Sequence, residues 1–173
     1  MNPAEAPAVV PIISEPAFRN LDPRVIKLWR VRHAIRSVVL LGLATIAVIS
    51  VGFATNRWLW PVIGWQLLLL LRVVLLFWYP VRSYKSWGYR IDGKVLETKS
   101  GIWFRIHQLL PLSRLQHVDL HSGLIERSFG LASLLLHTAG TQHASIVVPG
   151  LDEREAKRLR DELVAMIGGD DGV

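Results

Sequence analysis

The run HVDLH places His117, Asp119 and His121 at alternate positions. On a β-strand, alternate side chains share a face, so the three would project together. Imidazole nitrogens and a carboxylate suit zinc or iron, and such a site would point to a metal-dependent enzyme. His137 can project near the same face. Geometry weighs against the idea. Alternate strand positions stand roughly 7 Å apart, too far for three groups to converge on one ion without strong curvature. Val118 and Leu120 would take the inner face, which leaves the His/Asp face to solvent or lipid headgroups. The metal site stays an alternative here, and no cofactor is expected.

Arg72 is a second candidate. It is the single charge in WLWPVIGWQLLLLLRVVLLFWYP, from Trp58 to Pro80. An ionisable group inside a membrane segment is a default functional site, for example a helix contact in an accessory subunit of a transport complex. Yet Arg72 lies seven residues from Tyr79. That is roughly 10 Å of helix, short enough for the guanidinium to snorkel to the headgroups.

Other catalytic signatures are absent. There is no Gly-x-x-x-x-Gly-Lys-Ser/Thr loop and no Gly-x-Ser-x-Gly turn. The acids Glu153, Glu155, Asp161 and Glu162 interleave with Arg154, Lys157, Arg158 and Arg160, as on the solvated face of a helix. The stretch LIERSFGLASLLLHTAG, from Leu124 to Gly140, reads as a corner rather than a catalytic loop. Leu124 to Arg127 make a short turn, Gly130 lets the chain bend, and Phe129 plugs the core there. Arg127 is expected to bond backbone carbonyls or the neighbours of Glu126 at the bend, and Leu134 and Leu136 to point inward.

The elements that must position these groups divide the chain in two. Ser37 to Asn56 is uncharged over 20 residues, and Trp58 to Pro80 follows after only a short link. At about 1.5 Å per residue, the first run spans roughly 30 Å, the hydrocarbon thickness of a bilayer. The two runs predict an antiparallel transmembrane hairpin over 37–80, with Trp58, Trp60, Trp65, Trp78 and Tyr79 at its interfaces. Residues 1–91 carry 11 Lys or Arg against 3 Asp or Glu, while residues 92–173 carry 9 against 11. The high basicity therefore belongs to the membrane half and does not argue for nucleic acid. Arg24, Lys27, Arg30, Arg32 and Arg36 precede the hairpin, Arg82, Lys85 and Arg90 follow it, and the link carries only Arg57. This asymmetry places both termini in the cytoplasm. The absence of cysteine fits a reducing compartment.

Residues 1–20, rich in proline, read as a flexible tail. Residues 21–36 read as a basic juxtamembrane helix, with Asp22 as N-cap and Pro23 at the first helical position. This segment either lies at headgroup level or forms the start of a longer first helix. From Val81 the pattern turns to period two. Asp92-Gly93 supplies a hairpin turn, and Ile102, Phe104 and Ile106 are expected on one strand face. About six strands make an antiparallel meander. The last segment puts Ala156, Leu159, Leu163 and Ile167 on one helical stripe, with Asp152 as cap and Glu155 as its box partner. Residues 169–173 are a short tail.

Several motifs carry a family resemblance. They are Pro111, Arg114 and Gln116 in PLSRLQ; Glu126, Arg127, Phe129 and Gly130 in ERSFGL; Thr138, Ala139 and Gly140; and the closing VPGLDEREAKRLRDEL. The chain resembles the YdbS-like family of bacterial membrane proteins with a pleckstrin-homology-like (PH-like) domain, over roughly Trp29 to Met166. The resemblance implies a membrane-anchored α+β protein, in which a PH-like split barrel at 81–168 is capped by a C-terminal α-helix. It implies no established activity, and phosphoinositide binding does not follow from the fold. The expected function is a non-catalytic interaction or assembly module at the bacterial cytoplasmic membrane. Its expected contacts are anionic headgroups and either itself or a related PH-like membrane protein. Arg72, Arg82, Lys85, Arg90 and Arg114 are the candidate lipid or partner contacts.

Overall fold

The computed structural model describes residues 17–92, 94–138 and 145–168. Two long helices come first, α1 (Arg24–Thr55) and α2 (Leu59–Ser86). Asn56 turns left-handed at the end of α1, with φ 51°, and lets the chain reverse. The helices pack antiparallel. Gly52 lies under the Trp58 ring, the Trp65 indole donates to Thr45 Oγ1 at 3.1 Å, and His33 meets Tyr79 edge-on at 5.2 Å. The outward apolar side chains of both helices are exposed along their length, as lipid-facing surfaces are.

The structure takes the longer-helix alternative for residues 21–36. Asp22 caps α1, accepting the Arg24 amide at 2.8 Å. The segment does not lie flat on headgroups, because Leu21, Val25 and Leu28 are buried in the core of the domain. The tail is also shorter than expected at its described end. Arg19 bridges to Tyr89 through two backbone hydrogen bonds of 2.8 and 2.9 Å, and Phe18 packs under Arg90 and Lys99. Residues 1–16 and 169–173 lie outside the described residues. At the other end of the hairpin, α2 passes through Pro80 to Ser86. Period-two structure therefore begins at Gly88, not Val81.

Six strands follow among the described residues: β1 (Gly88–Asp92), β2 (Val95–Ser100), β3 (Ile106–Pro111), β4 (Leu115–His121), β5 (Leu131–Thr138) and β6 (Ser145–Asp152). They form two antiparallel three-stranded sheets, in order β1-β2-β3 and β4-β5-β6. The β1–β2 hairpin pairs Asp92 with Val95. Gly93, its expected turn residue, is outside the described residues. Gly101 to Arg105 form a bend, so Ile102 and Phe104 do not join Ile106 on a strand. Gly101 takes φ 105°, and a Cβ there would collide with the Phe104 carbonyl oxygen. Only glycine fits that turn.

A short helix, α3 (Leu124–Ser128), stands where a turn was expected. The closing helix is α4 (Glu153–Gly168). Ala156, Leu159 and Leu163 are buried against the second sheet, as the stripe predicts. Tyr89, Leu96, Leu110, Leu131, Leu134, Leu136, Val148 and Leu151 complete the core. The expected membrane-anchored PH-like architecture is present, with one addition: the first turns of α1 belong to the domain.

Candidate functional site at the base of the hairpin

Arg24, the first residue of α1, reaches three segments. Its Nη2 lies 2.8 Å from Asp22 Oδ2 and 2.5 Å from Asp152 Oδ2. Its Nε donates to Asp22 Oδ1 at 2.9 Å, and its Nη1 donates to the Phe129 carbonyl at 3.2 Å. Planar guanidinium geometry makes such a multiple contact directional. The hydrogen bond from Arg24 holds the Asp22 carboxyl below the usual carboxylate range, against the opposing effect of burial. The same guanidinium, followed by the Arg154 amide, lowers the Asp152 carboxyl.

Two glycines make room for this junction. Gly130 has φ 65°, and a Cβ there would stand 3.3 Å from Arg24 Nη1. Gly150 has φ 64°, and a Cβ there would run into the Val25 side chain. The Gly150 carbonyl accepts the Asp22 amide at 3.1 Å, and the Gly130 carbonyl accepts the Glu153 amide at 3.1 Å. The start of α1, the end of β6 and the start of α4 thus meet at one place.

Glu126 forms the second link. One carboxylate oxygen accepts the Gly123 amide at 2.9 Å, and the other accepts Ser133 Oγ at 3.2 Å. Arg32 Nη2 lies 3.5 Å from the latter oxygen. The glutamate ties α3 to β5 and to the third turn of α1. Phe129 packs against the core, as expected. The arginine that bonds the carbonyl at this bend is Arg24, however, and not Arg127. Sequence reasoning missed Arg24 because its partners lie 105 and 128 residues away. Asp152 was legible as a cap, and its side chain does accept the Arg154 amide at 2.9 Å. Glu155 does not act as box partner; its carboxylate accepts the Tyr89 hydroxyl at 3.0 Å.

The remaining candidates scatter. Pro111, Arg114 and Gln116 are exposed around the short 3-10 helix Leu112–Arg114 that joins the sheets, while Leu112 between them is buried. Thr138 ends β5, and Gly140 lies outside the described residues. Arg82 stacks over Trp78 at 5.3 Å, and Lys85 is exposed. Arg90 is turned inward, with Nε 2.6 Å from Glu97 Oε2 and its guanidinium over Phe18. That contact removes it from the residues open to headgroups. Arg72 lies midway along α2, seven residues before Tyr79, with its Nε buried and without a hydrogen-bond partner among the described residues. His117, Asp119 and His121 lie on β4, but Asp119 Oδ2 sits 3.3 Å from His137 Nε2 across the strand pair. Among the described residues, no three His, Asp or Glu groups gather as a metal-ligand set.

A membrane hairpin whose first turns are built into a two-sheet domain closed by a C-terminal helix defines a membrane-anchored PH-like protein. Residues 36–167 match the bacterial PH domain family, and the chain belongs to that family. It is 33% identical to the UPF0699 transmembrane protein YdbS of Bacillus subtilis (strain 168) over 155 residues, which cover 88% of this chain and 95% of YdbS. It is 26% identical to the UPF0699 transmembrane protein YdbT of the same organism over 92 residues, 51% of this chain and 19% of YdbT. No solved structure matches it.

Proposed function

We propose that the protein is a non-catalytic assembly module, held at the cytoplasmic face of the bacterial membrane, that pairs with a second copy or with a related PH-like membrane protein. The observation that carries this reading is the edge strand β3. Among the described residues its outer edge pairs with no strand, and its side chains Ile106 and Leu109 are 51% and 67% exposed. By contrast, the outer edge of β1 is covered by the Arg19 bridge. An uncovered apolar edge offers both backbone hydrogen bonds and side-chain contact to an incoming strand. The occurrence of two similar proteins in one bacterium, one much longer than this chain, supports a related protein as partner. The basic residues flanking the hairpin support cytoplasmic termini.

A photo-crosslinking residue at Leu109 in native membranes tests the reading. Adducts with a second copy or with a PH-like membrane protein are expected, and their absence would overturn it. A topology reporter fused after Val173 should report the cytoplasm.

A further inference from the structure

The bend between β2 and β3 presents Trp103 and Phe104 to the surface, 80% and 84% exposed. Nothing in the strand pattern requires two aromatic rings there. The Gly101 turn that holds them is tightly folded, since no other residue fits it. The rings stand at a definite height relative to the membrane. Trp103 lies beside Trp78 of α2, with ring centroids 6.4 Å apart. Trp78 adjoins Tyr79, which meets His33 of α1 edge-on. His33 lies three residues before Arg36, the last charge ahead of the uncharged run. Three residues are about 4.5 Å of helix, so Trp78 and Trp103 sit just outside the hydrocarbon boundary. Indole and phenyl rings favour that depth. Arg82 over Trp78 and the exposed Arg105 add cations where anionic headgroups lie.

We infer that Gly101–Arg105 is a membrane-docking loop, which inserts Trp103 and Phe104 into the lipid leaflet facing the domain and fixes the domain against the bilayer beside α2. The occupant of this apolar tip is lipid, because the tip lies level with the interfacial aromatics of its own hairpin. The loop is separate from the β3 edge contact proposed above, so either can fail without the other.

The chain has no cysteine, so single-cysteine reporters need no background substitutions. Arg105→Cys keeps both rings and carries an environment-sensitive fluorophore at the loop. Lys157→Cys, on the exposed face of α4 and one turn from Glu153, serves as the control beside the N-terminal end of α1, the end away from the uncharged run. The full-length variants are reconstituted into phosphatidylcholine–phosphatidylglycerol vesicles, with a spin label near the top of the acyl chain. Quenching at Arg105→Cys is expected to exceed that at Lys157→Cys by about twofold or more, as for groups at interfacial depth. Adding Trp103→Ser and Phe104→Ser should abolish the excess. Equal quenching at the two sites, or no response to loss of the rings, would overturn the inference. So would a blue shift that lipid labels do not quench and that grows with protein density, because a second copy would then cover the loop.

Discussion

The two sheets of the domain are built alike and buried differently. In the second sheet, β5 lies between two strands, under α4 and beside α3, and Leu131, Ala132, Leu134 and Leu136 have no exposed surface. In the first sheet, β3 buries only Leu110, while Ile106 and Leu109 remain exposed. One half is closed by α4 and the first turns of α1. The other has an open edge, and its β2–β3 loop points to the membrane level. The difference teaches where stability resides and where a partner can be taken up, because buried apolar area and free strand edges are seldom found on one surface.

The comparison can be broken or sharpened by substitution. The largest effect is expected at Leu134→Ala. Truncating a fully buried leucine in the closed half should cost about 2–5 kcal/mol, read from thermal unfolding of the full chain in detergent. Gly150→Ala comes next. Positive φ and the collision with Val25 should cost about 1–3 kcal/mol and disturb the seat of α1. Tyr89→Phe removes the hydrogen bond to Glu155 and should cost about 1 kcal/mol. Burial, followed by that bond, pushes the Tyr89 hydroxyl up to about 12, so it remains a donor through the physiological range.

A pH effect should follow at the junction. Asp22 and Asp152 have native values below their ordinary 3.8. Their contribution is therefore complete above about 3.8 and is lost as pH falls through the lower native values. Protection of the Val25 and Leu28 amides, taken as the exchange rate relative to that of an unstructured peptide at the same pH, should be flat from neutrality to about 3.8 and fall below it. Asp22→Asn with Asp152→Asn should flatten that fall. The smallest stability effect is expected at Leu109→Ser, within about 0.5 kcal/mol, together with loss of crosslinking from a photo-reactive residue placed at Ile106 on the same strand. If Leu109→Ser destabilised the protein as much as Leu134→Ala, the contrast between the halves would collapse.

Much of the architecture was legible because its signals are local. Twenty uncharged residues between charged flanks read directly as a spanning helix, and the Ala156–Leu163 stripe read as the buried face of α4. The corner at Phe129-Gly130 was also visible as a break between apolar runs. The arginine at that corner was not. Glu126 and Arg127 are adjacent in sequence, so Arg127 looked like the residue that would bond there. Arg24, remote in sequence, reaches it instead because α1 threads into the domain. Residues Ile102 to Phe104 were misread for a related reason. Their alternation suits a strand, but Gly101 turns the chain before pairing can begin, and β3 starts only at Ile106.

The sequence by itself determined that this is a two-span membrane protein with an antiparallel domain and a covering helix. Hydropathy, period and capping are properties of neighbouring residues, and they carry that much. Only the tertiary structure decided that the basic segment before the first span belongs to the domain core, and that Arg24 joins Asp22, Asp152 and Phe129 into one junction. It also decided that Trp103 stands level with Trp78. Each of these depends on contacts between residues far apart in the chain, and a linear pattern holds no record of which distant surfaces will meet.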